Sequence, residues 1–551
     1  MSSGQGLFSS LVRRISGMGL IVGTFFMAMS LTPSLIPRSD LVQGVLAGVC
    51  FAVGYGITLL AKSIWLYIQL PTPNEWLSRR LFILSGSLSV ATALSFFVKA
   101  AEWQNSIRAA MGIDPVPTSL PVAVGTIAAG IAIILVGSGK LIAILWRRIS
   151  RRLGRYIRPR LARIIGLALV IWGIALVGNG LVFRGLLRVA DSSAQALDAL
   201  VEPDVAPPTD PLRTGSAASL ISWEDLGREG RNFIGNPVGA DRIRQITGLE
   251  AIDPIRVYVG LNAAEEATDR AALAVAELDR IGGFGRGRLV IAMPTGTGWM
   301  DPAAFETLEY LQRGDVATVA IQYSYLQSWL SLIVEPDYSI EAGRALFSAV
   351  YARWKELPEA ERPELFLYGL SLGAYSSQQS MRLHEIIDDP VSGALWVGPP
   401  FVSPLWQTLT AERDPGSPAW LPRVDQGQLV RFTNGSAGLD AAGRWGRMRI
   451  VYLQYASDPI VFFKTDGAFR KPDWMAEPRG PDVSSELRWY PIVSFLQQAF
   501  DMAIALAVPM GHGHLYSYTD HIGPWMQVMP PEDLDPASLA RLERYLKTRN
   551  D

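Results

Sequence analysis

Ser371 lies between two glycines in the stretch "LFLYGLSLGAYSS" (365–377). The residues before it are apolar and β-prone and those after it are helix-prone, so Ser371 falls at a strand-to-helix turn. Such a turn lifts a hydroxyl above the end of a strand, and Gly369 and Gly373 remove Cβ atoms that would clash there. Because 51 of the 551 residues are glycine, G-x-S-x-G can arise by chance, and the flanking elements carry the interpretation. The pattern predicts that Ser371 is a catalytic nucleophile.

A nucleophilic serine needs a base and an acid that orients the base, in the chain order Ser, Asp or Glu, His. Asp458 follows the β-prone run "MRIVYLQYA", where an acid of this kind would lie, although it could instead cap the turn before the next proline. Downstream, "VPMGHGHLYSY" carries His512 and His514 on a glycine-rich loop. We predict Asp458 as the acid and His514 as the base, with His512 as the alternate base.

The reaction also needs N–H donors for a developing oxyanion. One should come from Leu372, directly after the nucleophile, and the other from a loop after an earlier strand. The loop in "IAMPTGTGWMDP" (291–302) offers Thr295, Gly296 and Thr297. A glycine-rich loop could instead hold phosphate, but this one lacks the lysine and the spacing of a P-loop. We therefore predict an oxyanion site, with no cofactor and no metal ion.

Aromatic residues follow another predicted strand on the same side of the sheet. Tyr323, Tyr325 and Trp329 lie in "QYSYLQSWLSLIVEP". They could pack in the core or line a pocket for an acyl chain. A long insertion at 401–447, with three tryptophans, could cover such a pocket.

The elements that position these residues alternate regularly after residue 241. Strands rich in Val, Ile and Tyr are separated by helical segments, which predicts βαβ units and a mostly parallel sheet in a domain at 241–551. The predicted strands lie in "PIRVYVGL", "RLVIAMP", "DVATVAIQYS", "ELFLYGL", "VSGALWVGP" and "MRIVYLQYA".

The first third of the chain is different, because it contains apolar stretches close to bilayer length. Five of them predict an α-helical transmembrane bundle at 1–190, and a Pro- and Asp-containing connector follows at 191–240. The stretches are 15–36, 42–60, 81–98, 121–146 and 164–183.

Basic residues predict the orientation of these spans. Arginine and lysine are frequent before the first stretch, between the second and third, and in "RRISRRLGRYIRPRLAR" (147–163), whereas the alternate loops hold few. The positive-inside rule therefore places the N-terminus in the cytoplasm and, after an odd number of spans, the C-terminal domain on the other side.

Composition excludes several classes of protein. The net charge is −1 and charged residues make up 18% of the chain, which does not favour a nucleic-acid partner. A single cysteine, Cys50, excludes an intrachain disulfide framework and a cysteine-based zinc site.

Several segments together resemble a membrane-anchored bacterial α/β-hydrolase family, in which a multi-span N-terminal region precedes an extracytoplasmic hydrolase-fold domain. The resemblance is carried by "SLTPSLIPRSDLVQGVLAG", "SWEDLGREGRNFIG", "MPTGTGWMDP", "QYSYLQSWLS", "YGLSLGAYSS" and "GHGHLYS". It implies a serine hydrolase in the bacterial inner membrane, and it supports Ser371 most directly.

The predicted activity is hydrolysis of a lipid or another cell-envelope ester, with membrane lipids around the spans. An acyltransferase using the same residues remains an alternative, as does a non-catalytic scaffold or transport protein. The substrate and the oligomeric state stay open.

Overall fold

A computed structural model describes residues 16–117, 121–176, 198, 206–326, 331, 336–440 and 443–550. The described chain divides into two compact units. The first contains the described residues up to 176, Phe463–Met475 and Pro481–Ala507. The second contains the described residues from 198 to 462, Ala476–Gly480 and the described residues from 508 onward.

Five helices form the N-terminal part of the first unit: α1 (Gly17–Ser30), α2 (Asp40–Tyr67), α3 (Glu75–Ala110), α4 (Val122–Leu153) and α5 (Pro159–Ala175). Polar caps explain where the first three begin. The side chains of Ser16, Ser39 and Asn74 each accept a hydrogen bond from a backbone N–H in the first turn.

Three of these helices, α2, α3 and α4, are long and apolar enough to cross a membrane. The structure therefore supports a membrane-associated helical region but does not confirm five spans. The first expected span becomes α1, a helix of only 14 residues, because the chain turns before Pro33 and Pro37. The fifth becomes α5, with 17 residues, and the end of its expected span (177–183) lies outside the described residues.

A seven-stranded sheet is the centre of the second unit. Its strands are β1 (Ile255–Val259), β2 (Arg288–Met293), β3 (Val316–Ile321), β4 (Glu364–Leu370), β5 (Gly393–Val397), β6 (Val430–Thr433) and β7 (Arg449–Leu453). They lie in the order β1-β3-β2-β4-β5-β7-β6, and every pair is parallel. The α/β class and the parallel sheet are as predicted.

The remaining described helices include those that connect and cover the strands and one, Val493–Ala503, that groups with the first unit. In chain order they are α6 (Gly227–Gly235), α7 (Ala240–Thr247), α8 (Ala267–Arg280), α9 (Pro302–Leu311), α10 (Pro336–Glu356), α11 (Leu372–Ser380), α12 (Leu383–Ile386), α13 (Pro404–Ala411), α14 (Pro459–Phe462), α15 (Val493–Ala503), α16 (Ile522–Val528) and α17 (Pro536–Arg549). Buried aromatic rings fill the space between helices and sheet, and the Phe305 and Tyr368 rings meet edge-on with centroids 4.8 Å apart. This core fixes the strand ends that carry the candidate site.

One strand lies inside the segment that the sequence predicts as a cap. The range 401–447 contains the helix α13 but also β6, which pairs with β7 at the edge of the sheet. The Phe432 ring stacks on Tyr452 of β7, with centroids 4.8 Å apart. Part of the predicted insertion is therefore sheet. The strand β6 has only four residues, and two of them, Arg431 and Thr433, are polar, so its sequence does not indicate a strand.

The helix α15 groups with the first unit, whereas the sequence places it in one domain at 241–551. Val493 packs in one buried cluster with Leu46 and Cys50 of α2. Asp501 forms an ion pair with Arg38, and the atoms that join them are 2.8 Å apart with both side chains fully buried. Apolar contact and a paired charge therefore hold this segment to the N-terminal helices.

Candidate active site

Ser371 occupies the turn between β4 and α11 in an unusual backbone conformation. Its φ is 57° and its ψ is −124°, and a non-glycine residue with positive φ is strained by about 1–3 kcal/mol. The Ser371 N–H donates to the carbonyl of Val397 at the end of β5, over 2.9 Å. The residue is 4% exposed. The predicted sharp turn is present, and the neighbouring strand holds it.

The two glycines of the motif are required by close backbone contact. A Cβ on Gly373 would collide with the carbonyl oxygens of Met293 and Pro294, at the end of β2. A Cβ on Gly369 would collide with the backbone of Gly373 itself. The start of α11 therefore lies directly against the end of β2, where the glycine-rich loop begins.

Asp458 and His514, 56 residues apart in sequence, are joined by a hydrogen bond. The His514 Nδ1 atom lies 2.7 Å from Asp458 Oδ2, and both side chains are buried. Because a carboxylate can only accept, the neutral His514 ring carries its proton on Nδ1 and has its lone pair on Nε2. Among the described residues, His514 Nε2 has no hydrogen-bond partner. The acid candidate thus holds the ring through Nδ1, and Nε2 is the atom that remains for proton transfer.

Further donors hold the Asp458 carboxylate. The Tyr516 hydroxyl donates to Oδ2 over 2.7 Å, and the Ile460 N–H donates to Oδ1 over 2.9 Å. Burial, together with the charge of Asp458, raises the pKa of the Tyr516 phenol and keeps it a donor. These contacts compensate the burial of an acidic group that is 0% exposed. Tyr516 was not predicted from the sequence, although it lies two residues after His514 in the same loop.

His514 is close to the turn that holds Ser371. Gly398 follows Val397, whose carbonyl accepts from the Ser371 N–H. A Cβ on Gly398 would lie 2.8 Å from His514 Cε1, and the φ of Gly398 is +50°. One short stretch of backbone thus touches the nucleophile candidate on one side and the base candidate on the other.

His512 has different surroundings from His514. The backbone turns tightly here, because the Leu515 N–H donates to the His512 carbonyl over 3.1 Å. Among the described residues, the buried Nδ1 atom of His512 has no hydrogen-bond partner. The structure therefore brings His514, and not His512, onto the acid candidate.

The predicted oxyanion loop folds on itself after β2. The Thr295 N–H donates to the Trp299 carbonyl over 3.1 Å, and the Gly298 N–H donates to the Thr295 carbonyl over 2.9 Å. The Thr295 N–H is thus engaged within the loop and is not available to an oxyanion in this conformation, whereas Gly296 and Thr297 stay predictions. Leu372 opens α11, and the first N–H groups of a helix have no acceptor within the helix.

The aromatic candidates are placed by hydrogen bonds. Tyr323 is 4% exposed, and its hydroxyl donates to the Pro294 carbonyl over 3.2 Å. The Tyr325 hydroxyl donates to Asn262 Oδ1 over 2.6 Å. Trp329 lies outside the described residues. Within the described part of the chain, no three His, Cys, Asp or Glu side chains group as metal ligands would.

Comparison with known proteins identifies the fold. Residues 255–542 match the sequence model of an α/β-hydrolase family, and residues 31–237 match the model of the N-terminal region of an α/β-hydrolase family. The chain belongs to this α/β-hydrolase family. Every candidate catalytic residue, and the glycine-rich loop, lies inside the first matched range. The apolar N-terminal helices of this α/β-hydrolase lie largely inside the second matched range, 31–237.

Similarity to individual proteins is slight. No curated protein matches this α/β-hydrolase. One solved structure, described under LipS and LipT, two metagenome-derived lipolytic enzymes, is similar at 17% identity with a TM-score of 0.13. The similarity covers 25% of this chain and 53% of that chain. The hydrolase thus spans about half the length of that chain, and a TM-score this low supports no conclusion about function.

Proposed function

We propose that this protein is a membrane-bound serine hydrolase that cleaves a carboxylic ester through an acyl-enzyme. The observation that carries the proposal is the His514–Asp458 hydrogen bond of 2.7 Å beside the strained turn at Ser371. A nucleophile, a base and an orienting acid in this chain order are the parts that acyl transfer needs.

The first step forms the acyl-enzyme. Ser371 Oγ attacks the carbonyl carbon of the ester, and its proton passes to His514 Nε2. The resulting imidazolium is stabilised by Asp458, and the oxyanion is stabilised by N–H groups of Leu372 and the loop after β2. The tetrahedral intermediate collapses, the carbon–oxygen ester bond breaks, and the alcohol leaves with the proton from His514.

The second step releases the acid. Water attacks the acyl-enzyme and gives one proton to His514 Nε2. The Ser371–acyl bond then breaks, the proton returns to Ser371 Oγ, and the carboxylic acid departs. The balance needs no cofactor.

The substrate class is proposed from the helices. Three apolar helices of membrane length, with exposed large apolar side chains along α3 and α4, support a place in a lipid bilayer. A hydrolase held there would encounter lipid esters and other cell-envelope esters, and Tyr325 and Trp329 remain candidate contacts for such a substrate. We place the catalytic residues outside the cytoplasm of a bacterial inner membrane, on the charge pattern of the loops.

A fluorophosphonate probe tests the proposal, because it forms a covalent bond with an activated serine. Wild type and Ser380→Ala should be labelled, whereas Ser371→Ala should not. Ser380 is a matched control: it is buried on the same helix, and its hydroxyl donates to the Ser377 carbonyl. Lipid extracts of cells that carry wild type or Ser371→Ala should then differ in the substrate ester. Equal labelling of wild type and Ser371→Ala would contradict the proposal.

A further inference from the structure

The carbonyl groups of the loop at 294–299 are bound by buried side chains at the ends of two neighbouring strands. The Tyr258 hydroxyl donates to the Gly298 carbonyl over 2.8 Å. The Gln322 amide donates to the Thr297 carbonyl over 3.2 Å. The Tyr323 hydroxyl donates to the Pro294 carbonyl, also over 3.2 Å. Tyr258 belongs to β1, whereas Gln322 and Tyr323 directly follow β3.

The loop's own backbone binds two more of its carbonyls, those of Thr295 and Trp299. In a trans peptide the C=O and the following N–H point in opposite directions. A donor that fixes a carbonyl therefore also fixes the direction of the next N–H. Five carbonyls of this loop are turned onto donors of the protein, so they do not face a developing oxyanion.

We propose that Tyr258, Gln322 and Tyr323 are positioning residues that fix the oxyanion-binding loop of this hydrolase. The proposal rests on the proposed function, and it gives Tyr323 a different role from the substrate contact that its sequence position indicates. None of the three is required to touch the substrate. The N–H groups that follow the Pro294 and Thr297 carbonyls, those of Thr295 and Gly298, are themselves bound inside the loop. The effect of the three side chains is therefore to hold the conformation of the whole loop, so that its oxyanion donor is in place before the reaction begins.

Burial makes this arrangement rigid. Tyr258 and Gln322 are both 0% exposed. Gln322 is held from its other side as well, because its Oε1 atom accepts from the Leu261 N–H over 3.1 Å. Burial, followed by the charges of Asp198 and Glu229, raises the pKa of Tyr258, which therefore stays a protonated donor. Water cannot replace a lost donor in such a place without first entering the core.

The test compares Tyr258→Phe with Tyr368→Phe. Tyr368 is the matched control, since it lies on β4, is 1% exposed, and its hydroxyl has no partner among the described residues. We expect Tyr258→Phe to lower kcat on a soluble p-nitrophenyl ester about 10- to 100-fold with KM changed less than about twofold, because a loosened loop loses part of an oxyanion contact that exists only in the transition state. Tyr368→Phe should keep both constants within about twofold of wild type.

Gln322→Met provides a second variant in case Tyr258→Phe does not fold. It keeps the side-chain length and removes the amide, and it should show the same loss of kcat at nearly constant KM. The proposal is overturned if the folded variants turn over like wild type, or if Tyr368→Phe loses as much kcat as they do. Fluorophosphonate labelling of wild type distinguishes a failure of the positioning role from a failure of the proposed function. Labelled wild type with fully active Tyr258→Phe overturns the positioning role alone, whereas unlabelled, inactive wild type overturns the proposed function and this inference with it.

Discussion

At the scale of single residues, the site depends on how one buried carboxylate is held. Asp458 accepts from His514 and Tyr516 at one oxygen and from backbone N–H groups of its own turn at the other. These donors compensate the burial of the carboxylate and, in the neutral ring of His514, place the proton on Nδ1, so that Nε2 can take a proton. The same contacts favour His514 over His512 in the proposed role of base.

We predict that His514→Ala lowers ester turnover about as much as Ser371→Ala, because a base acts as one unit with its nucleophile. His512→Ala should cost only about one to two orders of magnitude, as expected for a residue that supports the loop. The measurement is kcat of both single variants on one soluble ester. An inactive His512→Ala beside an active His514→Ala would reverse the assignment.

The sequence could predict these residues only in part. The sharp turn at Ser371 was predictable because its evidence is local, in a glycine pattern between a strand and a helix. The choice between His512 and His514 was open, since two histidines separated by one glycine give almost the same signal. The contacts of Tyr258 and Gln322 with the loop after β2 leave no sequence pattern, because they join residues 25 to 40 positions apart.

At the scale of elements, a second buried pair links the ends of two site loops. Asp301 caps α9 after the glycine-rich loop, and His521 follows the loop of His514. His521 Nδ1 donates to the Ser517 carbonyl over 2.7 Å, so the unprotonated Nε2 faces Asp301 Oδ2 at 3.6 Å. Burial raises the pKa of Asp301 to about 7 and lowers the pKa of His521 to about 4. Both groups are therefore neutral in the folded protein in weakly acidic solution.

This pair gives a pH-dependent prediction for Asp301→Asn. The raised pKa of Asp301 stabilises the fold below the unfolded value near 4, and this contribution is lost as pH rises through about 7. Asparagine cannot ionise, so the stability of the variant relative to wild type should improve by roughly 2–4 kcal/mol from pH 4 to pH 7. Thermal unfolding midpoints of both proteins at several pH values measure this. A constant difference across that range would show that Asp301 is ionised throughout.

The lowered pKa of His521 acts in the opposite direction. Its contribution is present above the unfolded value and is lost as pH falls through about 4. In wild type, the pH-dependent contributions of Asp301 and His521 to stability therefore partly cancel. The comparison with Asp301→Asn is informative because His521 is common to both proteins.

Elements with long apolar runs could be predicted from the sequence, and short or mixed ones could not. Six strands of the parallel sheet match the predicted runs, since each is mostly buried and most of its residues are apolar. The edge strand β6 was missed because it is short and only two of its four residues, Val430 and Phe432, are apolar. Helix α15 groups with the first unit, whereas the sequence includes it in one domain at 241–551, because its 11 residues do not show which surface they bury against.

For the molecule as a whole, the chain passes from the second compact unit to the first and back between Asp458 and His514. Asp458 and His514 belong to the second unit, but Phe463–Met475 and Pro481–Ala507, which lie between them, belong to the first. Within the first unit, the buried Arg38–Asp501 pair fixes α15 to the N-terminal helices. The acid and base candidates are therefore separated in sequence by a segment that groups with the apolar helices.

The topology is testable with reporters. The arginine-rich segment at 147–163 and an odd number of spans predict a cytoplasmic N-terminus and an extracytoplasmic C-terminus. A reporter that is active only outside the cytoplasm should be active when fused after Asp551 and silent when inserted near Arg152. The reverse pattern would contradict the orientation.

We propose Ser371 as the nucleophile of an ester hydrolase, and the turnover number of Ser371→Ala is the decisive measurement. The substitution removes one hydroxyl from a turn that accepts a small residue, so its thermal unfolding midpoint should stay close to that of wild type. Measured on one soluble ester, its kcat should fall by several orders of magnitude, as loss of a nucleophile does. A correctly folded Ser371→Ala that retains more than about a hundredth of wild-type turnover would contradict the claim.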